Sequence, residues 1–271
     1  MRTELHFHLL PGVDDGPADE AEAVELASLA VADGTSTVVA TPHVCRIEIA
    51  DLSARVEQLS SALAGAGVEL QLRQGGELSP DDVFAISQRE LEEIAQGPPG
   101  RRWVLLEAPL VLTRASLRTA AEEVRGRGFD VLIGHPERSP SVSLDELRDH
   151  VAKGSIIQIN ASSLVGGHGA QAERRALEII RSGVPFVLAS DAHAASRPPL
   201  LTEGARALSS DGVRTEVIAA AVDTAPGRLL REGLPEASSR SALTAHTSPT
   251  RFRRWRGRAS RGLRRTEARS G

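Results

Sequence analysis

The sequence predicts an α/β fold in which a mainly parallel sheet, covered by helices, closes or nearly closes into a barrel. Three observations predict it. Seven short β-rich runs alternate with longer amphipathic stretches. Several of the runs are apolar without alternation, as strands covered on both faces must be. Each run also finishes in a polar or chargeable group, the pattern expected where parallel strand ends converge on one mouth.

The elements follow in order along the chain. The β-rich runs are RTELHF (2–7), STVVAT (36–41), VELQLRQ (68–74), WVLLEA (103–108), FDVLIG (129–134), SIIQIN (155–160) and VPFVLAS (184–190). Among the intervening helices, DEAEAVELASLAVADG (19–34) begins after Pro17 and stops at Gly34, and SLRTAAEEVRGRG (116–128) is its counterpart further on. After Pro235 the pattern fails. Residues 1–235 are expected to form the folded domain, and the small, polar and then arginine-rich segment 236–271 a disordered tail.

Composition narrows the function classes. With 271 residues the chain can build a self-sufficient core. Its single cysteine, Cys45, excludes a disulfide framework and a cysteine-based zinc site. No run approaches the roughly 18 apolar residues of a membrane span, and the N-terminus lacks the apolar stretch of a signal peptide. A cytoplasmic location is therefore expected. Residues 251–271 carry nine Arg against one Glu, a balance of +8 in a chain of net charge −4, so residues 1–250 carry −12. The stretch RFRRWRGR mixes arginine with Phe252 and Trp255, which suits peripheral attachment to an anionic membrane surface; nucleic acid is not expected as a partner.

Chemistry-bearing residues recur at the strand ends. His6 and His8 lie two apart, which directs both side chains to one face. Asp14 and Asp15 occupy the loop that follows. His43 comes just past the second run, Glu77 after the third, Glu107 at the end of the fourth, His135 and Arg138 after the fifth, Asn160 at the end of the sixth, and Asp191 and His193 after the seventh. Any one of these has an ordinary explanation, but their recurrence at successive strand ends does not. Glu107 is the hardest to dismiss singly, because an unpaired carboxylate in an apolar strand is costly to bury. The remaining histidines read differently: His150 as a solvated helix residue, His168 as a loop residue without function, and His246 as part of the tail. Cys45 reads as a small buried hydrophobe, and Asn160 as a backbone partner.

In this order the motifs HFHLLPGVDDG, TPH, GGE, LEAP, GHPER, QINASSL and ASDAHAASRPP resemble the PHP (polymerase and histidinol phosphatase) superfamily. Within it they resemble the bacterial capsular-polysaccharide-type tyrosine-protein phosphatases, over about residues 3–235. Departures occur at Glu4, where an aspartate is usual, at Phe7 between the paired histidines, in the EAP run, and at Ser139, where an aromatic is typical. The resemblance implies a distorted (β/α)7 barrel of the PHP type holding three divalent metal ions. It assigns His6, His8, Glu77 and Asp191 to the first ion, Glu77, Glu107 and His135 to the second, and Asp14, His43 and His193 to the third. Manganese is favoured; iron, cobalt and zinc also suit mixed imidazole and carboxylate ligands.

Four carboxylates against three divalent ions leave a net positive mouth, matched to a phosphate monoester dianion. Arg138 and Arg197 are expected to grip its oxygens, and hydrolysis to proceed by direct attack of water, since no HCxxxxxR thiol signature is present. The function implied is a metal-dependent protein-tyrosine phosphatase acting on a bacterial tyrosine kinase that regulates capsule or exopolysaccharide synthesis. The alternatives are a small-molecule phosphomonoesterase of the same superfamily, acting on histidinol phosphate or a nucleotide, and a catalytically inactive regulatory binding module, against which the full ligand set argues.

Overall fold

A computed structural model describes residues 2–235 and Thr244; the rest of the arginine-rich segment expected to be disordered lies outside the described residues. Each of the seven expected runs supplies a strand. Strands β1 (Arg2–Phe7), β2 (Thr35–Ala40) and β3 (Gln71–Gln74) form one parallel sheet in that order. A second parallel sheet contains β4 (Glu77–Leu78), β5 (Trp103–Glu107), β6 (Asp130–Gly134), β7 (Ile156–Asn160) and β8 (Phe186–Ala189).

The two-residue strand β4 was not expected. The third run breaks at Gly75 and Gly76, and the chain then crosses to the second sheet. Only glycine fits at this crossing: a Cβ on Gly75 would lie 2.5 Å from Val39 Cγ1, and one on Gly76 2.9 Å from Val44 Cγ2. The sheets meet at both edges through single bridges, Phe7 with Ala192 and His43 with Glu77.

The helices obey the sequence signals. Helix α1 (Glu20–Ala32) starts at Asp19, whose carboxylate accepts from the Glu22 N–H at 3.0 Å, and the chain leaves it through Gly34 at φ +92°. Helices α2 (Ile49–Gly65), α3 (Gln88–Ile94), α4 (Leu117–Gly126), α5 (Leu144–Ala152) and α6 (Gly169–Arg181) cover the sheets in turn. Ser87, Ser116 and Ser143 cap α3, α4 and α5. Helices α7 (Leu201–Ser210), α8 (Thr215–Ala219) and α9 (Ala225–Glu232) follow β8, with a π-helical turn between the last two. No helix among the described residues is long and apolar enough to cross a membrane.

Apolar burial falls into two cores. The larger one joins the helices to the outer faces of the strands. The smaller takes one side chain from each of six strands, namely Leu5, Val39, Leu105, Leu132, Ile156 and Val187, together with Trp103. Ala225 and Leu229 of α9 pack against it, and Trp103 Nε1 donates to the Leu229 carbonyl at 3.0 Å. This inner core anchors one end of the strands and leaves the other end to polar residues.

Two sequence expectations fail here. Cys45 is exposed rather than buried, because the short helical turn Val44–Arg46 points it outward. His150 is buried, not solvated: it shares a helix face with buried Leu147, and its Nδ1 lies 3.4 Å from Arg125 Nη2.

Candidate metal centre

Strand register brings the polar ends level. Glu107 pairs with Gly134, which places His135 beside it, and Asn160 pairs with Ala189, one residue before the Ser190–Asp191 exit. That exit is sewn onto β1: the Asp191 N–H donates to the His6 carbonyl at 3.0 Å, and the His8 N–H to the Ala192 carbonyl at 2.9 Å. On the opposite edge the Glu77 N–H donates to the Pro42 carbonyl at 3.0 Å, setting Glu77 against His43.

The result is one buried carboxylate ringed by imidazoles. Glu77 Oε1 lies 3.2 Å from His6 Nε2 and 3.1 Å from His135 Nε2; Oε2 lies 3.2 Å from His8 Nε2 and 3.1 Å from His43 Nδ1. Oε2 is buried and yet makes no hydrogen bond, despite these two close nitrogens. A buried carboxylate oxygen left without a hydrogen bond between two imidazole nitrogens has lone pairs free for a third party. Four overlapping groups have ligand atoms within 4.8 Å of one another: His8, Asp15, His43 and His193; His6, Glu77 and His135; His6, His8 and Asp191; and His43, Glu77 and Glu107.

Supporting bonds fix the ring orientations, as ligand histidines require. Gln158 Oε1 sits 3.1 Å from His6 Nδ1 and accepts from the His135 N–H at 3.1 Å, while its amide nitrogen donates to Asn160 Oδ1 at 2.7 Å. Asn160 Nδ2 in turn donates to Asp191 Oδ2 at 2.8 Å. Arg138 Nη1 meets the same oxygen at 2.6 Å. Oδ2 of Asp191 is thereby occupied, and Oδ1 faces His6 Nε2 at 3.3 Å. Arg197 spans the mouth, with Nη2 3.4 Å from Asp191 Oδ2 and Nη1 3.3 Å from Asp15 Oδ2. His135 and Asp191, at φ 30° and 51°, are the only non-glycine residues with positive φ among the described residues. Backbone strain of this kind gathers at functional positions.

The electrostatics show a centre short of positive charge. Burial, reinforced by the neighbouring Glu77, pushes Glu107 up to about 8. Burial and the cationic tendency of His8 hold His193 down at about 4. For His8 burial acts downward, but its bond to Asp14 and the nearby Glu77 and Asp191 carboxylates overcome that and carry it up to about 10. Asp14 falls to about 2 against its own burial, because it accepts from His8. Against its own burial, His6 is pushed up by Glu77 and Asp191, while burial pushes His135 down, so the deep carboxylates have His6, His8 and the Arg138 guanidinium as their cations. Divalent ions would supply the charge that is short.

Of the residues picked out in the sequence, the structure gathers His6, His8, His43, Glu77, Glu107, His135, Asp191 and His193, with Arg138 and Arg197 at the rim. Asp14 is placed differently from its expected role. Its carboxylate is taken up by His8 Nδ1 at 2.7 Å, the Gly16 N–H at 2.9 Å and the His43 N–H at 3.0 Å, and it belongs to none of the four groups. Asp15 faces the centre instead, with Oδ1 3.3 Å from His193 Nε2 and 3.5 Å from His43 Nε2. Sequence reasoning also passed over Gln158 and undervalued Asn160. The two are spaced i, i+2 in an otherwise apolar strand, and that spacing was the available signal.

A family model described as capsular polysaccharide synthesis, CpsB/CapC, matches residues 2–229. CapC of Staphylococcus aureus is 29% identical over 206 residues, spanning 73% of this chain and 79% of that protein. The tyrosine-protein phosphatase YwqE of Bacillus subtilis is 29% identical over 202 residues, spanning 70% and 76%. Among solved structures, a chain from the crystal structures of YwqE from Bacillus subtilis and CpsB from Streptococcus pneumoniae, unique metal-dependent tyrosine phosphatases, superposes with a TM-score of 0.67 at 25% identity. It covers 82% of this chain and 94% of that one.

Proposed function

The chain belongs to the capsular polysaccharide synthesis CpsB/CapC family, and from that premise we propose that it is a metal-dependent protein-tyrosine phosphatase whose substrate is a bacterial tyrosine kinase of capsule or exopolysaccharide synthesis. The observation that carries the reading is the single buried Glu77 carboxylate with four imidazoles 3.1–3.2 Å from its oxygens. A likeness to metal-dependent tyrosine phosphatases over most of both chains supports the same reading.

In this reading the two sheets, bridged at both edges around one inner core, act as a single distorted (β/α)7 barrel of the PHP type. The donor set fits three divalent ions, with manganese favoured. His6, His8, Glu77 and Asp191 would hold the first, Glu77, Glu107 and His135 the second, and Asp15, His43 and His193 the third. When bound, such ions supply Lewis acidity toward the phosphoryl group and a nucleophile at neutral pH.

The chain's own residues do the rest. Arg138 and Arg197 orient the phosphoryl oxygens; both already point at the Asp191 oxygen on the mouth side. Asn160 keeps Asp191 turned so that its other oxygen faces the centre. Gln158 holds His6 and the His135 backbone together. The ester bond to be broken carries a phenol of pKa about 10, so little general-acid help is needed at the leaving oxygen.

A metal series with a phosphotyrosine peptide, histidinol phosphate and a nucleotide in parallel tests the proposal. Manganese-dependent turnover with the phosphotyrosine peptide strongly preferred is the expected result. Preference for either small phosphate would overturn the substrate assignment, and turnover unaffected by chelation would overturn the metal.

A further inference from the structure

Beside the centre lies a cavity of about 850 Å³, between the 136–143 segment and the N-terminal half of α6. Its size is within the range of small-ligand sites, roughly 300–1,000 Å³. It is continuous with the mouth through two residues. Arg138 lines it while contacting Asp191 at 2.6 Å. His168 lines it too, with Nε2 2.9 Å from Ser162 Oγ and 3.4 Å from Asn160 Nδ2. From there the cavity runs past the hydroxyls of Ser139, Ser141 and Ser143, with Leu110 also among its lining residues, to Arg174 and Arg175 on α6.

Most charges along it are already matched. Arg175 pairs with Glu178 at 3.0 Å and donates to the Val142 carbonyl at 2.8 Å. Glu137 is buried: its Oε1 accepts from the Asn160 N–H at 2.9 Å and Ser163 Oγ at 2.8 Å, its Oε2 has no hydrogen bond, and burial pushes the carboxyl up to about 7, toward its neutral form. Arg138 is held by Asp191. Arg174 alone is exposed and has no hydrogen bond or ion pair among the described residues. The cavity's exposed, unpaired charge is therefore a cation on α6.

We propose that this cavity receives the extended polypeptide segment adjoining the phosphorylated tyrosine, and that Arg174 selects substrates with a carboxylate side chain on that segment. This rests on the phosphatase reading and deepens it. A tyrosine whose phosphate sits at the centre must carry its backbone over the rim. Arg138 belongs to both compartments, so the cavity adjoins the place where the phosphate would sit. The exposed Ser141 hydroxyl offers a polar partner to a peptide backbone, and Leu110 offers apolar contact.

The test uses manganese-loaded full-length protein and phosphotyrosine peptides of equal length, bearing Asp, Ala or Lys on either side of the tyrosine. Wild type should prefer the acidic peptide on one side, and the preference should shrink as ionic strength rises. Arg174→Glu, at an exposed helix position, should invert the ratio of kcat/KM for acidic over basic peptides, changing it roughly tenfold or less, the size of an exposed ion pair turned into a repulsion. Ser141→Trp, at the exposed rim, should lower kcat/KM for all peptides relative to p-nitrophenyl phosphate, which has no flanking chain. If the acidic-to-basic ratio is the same in Arg174→Glu as in wild type while p-nitrophenyl phosphate is turned over, the cavity assignment is overturned and the phosphatase reading stands. If wild type hydrolyses neither that ester nor any peptide, both fall.

Discussion

The adjacent aspartates of the LPGVDDG loop are expected to fail differently when each is changed to asparagine. Asp14 satisfies three donors at once, the His8 ring and the Gly16 and His43 amides, at 2.7–3.0 Å. An asparagine there keeps only one acceptor oxygen, so its NH2 must face either the His8 and His43 donors or the Gly16 amide. At least one donor in a part-buried setting loses its partner, at a cost of about 1–3 kcal/mol. His8 also loses the anchor that sets its ring, which typically lowers metal affinity about 10–100-fold. The Asp15 side chain is 60% exposed, and the structure gives it only ion pairs with His43, His193 and Arg197. Asp15→Asn should therefore leave the metal-free fold within about 0.5 kcal/mol of wild type while weakening manganese binding. Urea unfolding of the metal-free proteins and manganese titration by calorimetry separate the two effects. Unchanged metal-free stability in Asp14→Asn, or unchanged manganese affinity in Asp15→Asn, would refute the division of labour.

Three further outcomes are expected. His43→Ala and Asp191→Ala should each lose at least about a hundredfold in manganese-dependent turnover of a phosphotyrosine peptide, since each removes a ligand and bares its neighbours, whereas exposed Cys45→Ser should retain most activity in the same assay. Gly75→Ala forces a Cβ to within 2.5 Å of Val39 Cγ1 and should destabilise by about 1–3 kcal/mol, seen as a lowered Tm. His150→Leu should flatten the acid limb of stability: burial, then Arg125, Arg118 and Lys153, hold His150 at about 4, below its unfolded value near 6.5. Between those values the unfolded chain binds a proton that the native one does not, so wild type loses up to about 3 kcal/mol as pH falls through that window. Urea midpoints measured from pH 7 to pH 4 would show parallel curves for the two proteins if the reasoning is wrong.

How much was legible depended on whether a local period carried the information. The seven runs were visible because apolar stretches of five or six residues mark buried parallel strands, and His6 with His8 was visible because a period of two fixes their common face. Strand β4 was not visible: two residues cannot display a period, and the reason they pair with β5 is a crossing that only Gly75 and Gly76 permit. The choice between Asp14 and Asp15 was not visible either. Neighbouring loop residues diverge according to turn geometry, here set by Gly12 at φ +66° and by Gly16, where a Cβ would lie 3.0 Å from both Asp14 Oδ1 and the His8 carbonyl. His150 was misread although the signal existed, since Leu147 three residues earlier lies on the same helix face. The cavity beside Arg138 had no signal at all, because it is a space between α6 and a turn, and spaces are not written in any one segment.

The strongest argument that the centre exists for chemistry is its cost to the fold. Glu77 and Asp191 are buried carboxylates, His6, His8 and His135 are buried imidazoles, and His135 and Asp191 also hold positive φ. Buried ion pairs seldom repay their desolvation, and an apolar cluster of equal volume would stabilise a strand-end core at least as well. The inner core is such a cluster, drawing side chains from six strands and from α9. The same strands therefore carry close-packed aliphatics at one level and unsatisfied donors at the next. Strand propensity cannot account for that change, and neither can packing. Ions at the strand ends would account for it, since they would neutralise Glu77 and Glu107 together and offset the burial and the Glu77 repulsion that hold Glu107 protonated to about 8.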